Sequence, residues 1–409
     1  MELLAPAGSF EKLRYAIEYG ADAVYAAGKQ FGLRAKATNL DEDELAKAVK
    51  YVHERGKKIF ITANIFANNQ DIDEIPPYID YLSKLGVDAV IASDPGVISI
   101  IKETAPTLPI HLSTQANTTS WKSAEFWAKQ GVSRIILARE VSFAETKEMI
   151  KRVPELEYEI FVHGAMCISY SGRCLLSAFL NNRSANRGLC THPCRWEYTL
   201  TEKSRPGEEF AISEDERGTY ILNSKDLSLY DKLEEIVSSG ITSLKIEGRM
   251  KSLYYVANTT RVYKTAIQEY LQKRKPDPQL KEELYKISHR EYTTAFFDDS
   301  ELNNTQTYET SGYKRNYQFL GEVVDVESAH TASNTQLLFD NVVNIRAKFS
   351  VGEEIEVISP DHQQDVKLKV QAIYDEDGNL ITDTKPNTNI TLKLDTKLPR
   401  YGILRKQIK

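Results

Sequence analysis

The sequence predicts a TIM-type (β/α)8 barrel followed by a small C-terminal antiparallel β-barrel domain. Three observations carry this expectation. From residue 1 to about 272, short β-branched apolar runs alternate with amphipathic helical stretches. Several of those helices end in a glycine with the next apolar run close behind, as at Gly20, Gly56, Gly86, Gly131 and Gly240. Beyond residue 317 the pattern becomes strand-like throughout, with turn signals between runs.

In chain order, the expected barrel strands are 2–7, 23–27, 58–65, 89–93, 110–115, 134–139, 159–164 and 243–248. The helices between them carry apolar stripes: Leu45, Ala48, Val49 and Val52 in one, Leu229, Leu233, Ile236 and Val237 in another. Eight such units over residues 1–272 fit the usual barrel length of roughly 250 residues. A ninth apolar run, 219–227, is expected inside a long excursion after the seventh strand, a cysteine-rich insertion at 164–218. Residues 273–316, charged and carrying two prolines near their start, read as a linker with a short helix. Residues 317–409 form the second domain, and two domains suit a chain of 409 residues.

Composition narrows the class. With 41% hydrophobic and 27% charged residues the chain is globular, neither fibrous nor disordered. No apolar run approaches the roughly 18 residues that span a bilayer, so no membrane partner is expected. The opening MELLAPAGSFEKL lacks the features of a signal peptide, which predicts the reducing cytoplasm, where structural disulfides are rare. A net charge of −6 excludes a uniformly basic surface but not a local basic face.

All four cysteines, Cys167, Cys174, Cys190 and Cys194, lie in the excursion, with Arg173, Arg183, Arg187 and Arg195 among or beside them. Clustered thiols in a reducing compartment point to a metal or redox centre. Structural zinc usually takes paired ligands about two to four residues apart, which only Cys190 and Cys194 satisfy. An iron–sulfur cluster accepts looser spacing, and nearby arginines offset thiolate charge. Spacing favours the cluster and leaves zinc open.

Barrel enzymes work at the C-terminal ends of their strands. Those ends present Tyr25, Asn64, Ser93, Asp94, Gln115, Arg139, Glu140, His163, Glu247 and Arg249. From these and the stretch Asn223–Leu227, His163, Lys225, Glu247 and Arg249 are the expected catalytic residues, although Lys225 and Asp226 also suit a helix cap before Leu229. Arg139 and Arg173 are expected to hold a cofactor or co-substrate. The planar fork of Arg249 suits a carboxylate or phosphate. Arg34 and Lys36 extend the basic rim, and Tyr313, Tyr317 and Phe319 are candidates to stack a base. The chain contains no GxGxxG, Walker loop, HExxH or GxSxG motif, which leaves nucleotide-dependent and serine-hydrolase readings without support.

The segment from Glu159 through Phe161, Gly164, Ala165, Met166, Cys167, Gly172, Cys174 and Leu176 to Ser177 resembles the signature of the collagenase-like peptidase family, peptidase family U-32. The opening LLAPAGSFEKL, the NSKDL stretch and KIEGRM resemble it too, so the likeness covers essentially the whole chain. Within the family, chains with a trailing β domain are similar to prephenate-dependent tRNA uridine hydroxylases. That resemblance implies a 4Fe-4S cluster on Cys167, Cys174, Cys190 and Cys194, tRNA as partner, and prephenate, a small dicarboxylate, as co-substrate; the product would be 5-hydroxyuridine at the wobble position. The alternatives are a metal-assisted peptidase and a non-catalytic RNA-binding scaffold.

Overall fold

The computed structural model describes residues 1–32, 38–166, 174, 176–181, 183, 185, 189–191, 193, 213–215, 218–220, 224–298, 313–326, 330–331 and 337–408. Seven strands, β1 (Glu2–Pro6), β2 (Ala23–Ala26), β3 (Lys58–Thr62), β4 (Ala89–Ala92), β5 (Ile110–Leu112), β6 (Arg134–Ile136) and β7 (Glu157–Ala165), run parallel, each paired with the next. The eighth barrel strand, Ser243–Ile246, pairs with both β7 and β1 and so closes the cylinder. The (β/α)8 architecture is therefore as the sequence predicts. Most strands stop a residue or more before the end of the apolar run, leaving the polar end residues in loops at the barrel's C-terminal mouth.

Local chemistry sets the helices. Ser9 accepts the Lys12 amide at 3.2 Å, and Asp41 and Glu44 form a reciprocal capping box ahead of helix Glu42–His53. That helix buries Leu45, Ala48, Val49 and Val52, the stripe visible in the sequence. Helix Ile75–Leu85 ends on Gly86 at φ 81°, a left-handed cap without a Cβ penalty.

Two segments depart from expectation. The run 219–227 is not one strand: Gly218–Tyr220 pairs with Ser213–Asp215, residues 221–223 lie outside the described residues, and Asp226–Ser228 is a separate strand. This last strand joins the barrel sheet antiparallel to β7, with Asp226 opposite Ala165 and Ser228 opposite His163. Lys225 and Asp226 therefore do not cap a helix; Leu229 leads into a short 3-10 turn and then helix Leu233–Val237. The linker is also more than a spacer. Its Leu280, Leu284, Ile287 and Phe297 belong to the barrel's hydrophobic core, and Tyr292–Thr293 pairs with Asp226–Leu227.

The second domain is a curled antiparallel sheet with its own core around Leu320, Val343, Phe349 and Leu404. Its first long strand, Tyr317–Val326, starts and ends where the sequence predicts. Buried polar contacts fix it to the barrel. The Tyr19 hydroxyl donates to the carbonyls of Ile358 and Tyr401 at 3.1 and 2.9 Å. Arg405 reaches Glu283 at 2.6 Å and Glu356 at 2.8 Å, while Arg261 reaches Asp365 at 2.7 Å. Phe319 stacks on Tyr254 and Tyr317 lies beneath Arg405, so both aromatics are spent on this interface rather than offered to a base.

Candidate active site at the barrel mouth

The barrel interior is polar along much of its length. At its floor, Arg134 bonds Glu2 at 2.6 Å, Glu157 at 2.6 Å and Glu159 at 3.1 Å, and Lys245 bonds Glu159 at 3.0 Å. Charges so deeply buried persist only when paired. Burial pushes the Lys245 amine below its usual range, and Glu159 opposes that shift. Desolvation, with Arg134 and Lys245 nearby, keeps the buried His111 ring neutral.

Above this floor lies a small cavity of about 50 Å³, lined by Tyr25, Thr62, Asn64, Gln115, Glu247 and Arg249 among others. Arg249, 4% exposed, donates to the Thr62 hydroxyl at 3.1 Å. The Tyr25 hydroxyl donates to Glu247 Oε2 at 3.2 Å and to the Ile246 carbonyl at 3.0 Å. Asn64 donates to Gln115 at 3.1 Å and to Ser113 at 3.3 Å. Two glycines make the turn after the eighth strand possible. Gly164 sits at φ 119°, and a Cβ there would come within 2.5 Å of the Glu247 carbonyl. A Cβ on Gly248 would come within 2.6 Å of the Tyr255 ring, whose hydroxyl donates to that same carbonyl at 2.9 Å. The loop carrying Glu247 and Arg249 is thus clamped from two sides, which holds both charged groups in place.

Of the expected catalytic residues, Glu247 and Arg249 line this cavity together with Tyr25, Asn64 and Gln115. His163 does not. Counting alternate residues from Glu159 points it inward, but the register between β7 and the eighth strand shifts between Lys245 and Ile246. The His163 ring instead packs among Tyr255, Tyr263 and Tyr292, with Nδ1 3.3 Å from the Tyr263 hydroxyl. Burial pushes its imidazole down to about 3, so near neutrality it is an uncharged packing group. Lys225 stands on the rim, 3.7 Å from Glu291, and is not part of the lining. Arg139 lays its guanidinium 4.1 Å over Phe161, whose ring does line the cavity, and its buried Nε has no hydrogen-bond partner among the described residues. Asp94 caps helix Pro95–Thr104 through the Gly96 and Val97 amides. Thr62 was not among the expected residues, although alternation from the inward Phe60 would have found it. Among the described residues, the lining places no histidine beside Ser113.

Cys167, Cys194, Arg173, Arg34 and Lys36 lie outside the described residues. Cys174 and Cys190 are both half-buried. Their segments are tied together. Ser177, just after Cys174, accepts the Thr191 amide at 3.1 Å, and its hydroxyl lies 3.1 Å from the Thr191 hydroxyl. Asn181 donates to that same Thr191 hydroxyl at 2.9 Å. Soft donors on two cross-linked segments fit half of a four-thiolate set, for which an iron–sulfur cluster and zinc are both chemically suitable.

Comparison with known proteins adds to this geometry. The profile of peptidase family U32 matches residues 8–307, and that of the peptidase family U32 C-terminal domain matches residues 315–405. A Bacillus subtilis (strain 168) protein named tRNA hydroxylation protein P1 is 37% identical, covering 99% of this chain and 94% of its own length. The Escherichia coli (strain K12) tRNA hydroxylation protein P is 37% identical, covering 92% of each. A 23S rRNA 5-hydroxycytidine synthase of the same strain is 35% identical, covering 67% of this chain and 40% of that protein.

Proposed function

The chain belongs to peptidase family U32, and we propose that it is an RNA-modifying enzyme that hydroxylates tRNA. The observation that carries this reading is identity of 37% across 99% of the chain to a relative named for tRNA hydroxylation. The more specific form is hydroxylation of the wobble uridine to 5-hydroxyuridine, with a 4Fe-4S cluster on Cys167, Cys174, Cys190 and Cys194 and prephenate as co-substrate.

The mouth supports this chemistry. Arg249 presents a guanidinium fork, fixed by Thr62, that suits a carboxylate of a small dicarboxylate. Glu247, steadied by Tyr25, is a carboxylate placed to accept a proton inside the cavity. Asn64 and Gln115 add amide groups able to read a planar base edge. The cluster, when bound, supplies one-electron chemistry that side chains lack.

Anaerobic purification tests the cofactor. A brown protein with roughly four iron per chain is expected, with iron lost on Cys174→Ala or Cys190→Ala. A colourless protein holding stoichiometric zinc would overturn the cluster. Nucleoside analysis of tRNA from a deletion strain tests the substrate: loss of 5-hydroxyuridine is expected, and unchanged levels would remove the assignment.

A further inference from the structure

The turn after the eighth barrel strand faces two ways. Arg249 points into the cavity at 4% exposure, while its neighbour Met250 is 54% exposed. Lys251 closes the turn by donating its amide to the Gly248 carbonyl at 2.8 Å. Its ammonium lies 4.4 Å over the Tyr313 ring and 5.2 Å over Tyr255. No carboxylate comes within ion-pair distance of Lys251 among the described residues; the nearby Asp226 is buried against Arg290 at 2.9 Å. Tyr313 is followed by Lys314 and Arg315, both exposed, and this strip is anchored because Lys314 and His289 exchange backbone hydrogen bonds of 2.8 and 3.3 Å.

Although the chain's net charge is −6, this part of the rim is basic. Lys225, Lys251, Lys314 and Arg315 stand against Glu291, which lies 3.3 Å from Lys314 and 3.7 Å from Lys225, while the buried Arg290 and Asp226 offset each other. A half-buried lysine over an aromatic ring, with exposed cations and an exposed methionine next to a polar cavity, matches the needs of a single nucleic-acid strand. Phosphates seek the cations, and unstacked bases seek flat or apolar surfaces.

We infer that Met250, Lys251, Tyr313, Lys314 and Arg315 form a docking rim for single-stranded RNA, holding the backbone beside the nucleotide that enters the mouth. This rests on the RNA-modification reading and assigns the strand-binding residues for that site.

The test uses the full-length chain and a fluorescent RNA stem-loop with uridine in its loop, followed by anisotropy across a salt series. Lys251→Glu combined with Lys314→Glu should weaken binding on the order of 10-fold to 100-fold and flatten the salt dependence by about 0.7 per lysine. Lys50→Glu combined with Lys84→Glu makes the same charge change near helix C-termini, at the opposite end of the barrel. That pair should bind as the wild type does. Equal binding by the rim variant, or equal loss in the control, overturns the rim. If the wild type hydroxylates tRNA while the rim variant binds normally, only the rim assignment falls. If the wild type neither binds RNA nor alters tRNA nucleosides, the RNA reading falls and the rim with it. Circular dichroism melting of each variant separates lost binding from lost folding.

Discussion

At the floor of the barrel, Arg134 meets Glu2, Glu157 and Glu159, and Lys245 meets Glu159, so strong charges end on opposite ones. Higher in the same cylinder, Arg249 donates to the Thr62 hydroxyl and Glu247 accepts from Tyr25, and both line a cavity. The residue types are the same, but their environments assign them different work. Floor charges neutralise one another, with Arg134, Glu159 and Lys245 almost wholly buried, which makes the group chiefly structural although Lys245 also borders the cavity. At the mouth, the hydroxyls of Thr62 and Tyr25 orient Arg249 and Glu247 beside a cavity, where a ligand can meet them.

The sharpest way to break this contrast is Glu159→Ala. It leaves Arg134 and Lys245 buried without their shared partner, and stability should fall by about 3–5 kcal/mol, measured by guanidinium denaturation. A stable but inactive Glu159→Ala protein would place the floor in the chemistry. Arg249→Lys should do the opposite. It keeps the charge but loses the fork, so hydroxylation in a reconstituted assay should drop on the order of 100-fold with little change in unfolding midpoint. Similar activity in the two proteins would show that the fork is not needed.

His163 tests the wall between the two regions. Its folded-state value is about 3 against an ordinary 6.5, so between those limits the unfolded chain binds more protons than the folded one. Its contribution is therefore fully present above pH 6.5 and is lost as pH falls toward 3, at up to about 1.4 kcal/mol per pH unit. His163→Gln should flatten the acid limb of a stability–pH curve by that slope; an unchanged limb would show that the ring is not buried neutral. The mildest change is Tyr25→Phe, which removes one hydrogen bond to Glu247. It should cost about 1 kcal/mol in stability and a few-fold in turnover, read from the same denaturation and activity assays.

These contrasts also mark what the sequence could and could not reveal. Tyr317–Val326 was legible because a run rich in aromatic and β-branched residues needs little beyond its own composition to form a strand. Glu247 and Arg249 were legible because strand ends at a barrel mouth are read directly from order along the chain. Asp226–Ser228 was not, since its partners Ala165 and Gly164 lie far away in sequence, and locally Asn-Ser-Lys-Asp resembles a helix cap. His163 misled because one register shift reverses which face a side chain occupies, and nothing in EIFVHG announces the shift. The pairing of Arg134 with Glu2 was equally hidden, because only barrel closure brings β1 near β6, whereas Glu157 and Glu159 stand on the adjacent β7.

The short ladder between Ala165 and Asp226 has a consequence for how the molecule can be taken apart. The chain leaves the barrel after β7 and re-enters it beside the same residues, so the two ends of the cysteine-bearing segment meet at one short ladder. Antiparallel partners lie only about 5 Å apart, a gap that a short turn can bridge. Replacing the segment between them by a short turn should therefore leave the order of the barrel strands unchanged.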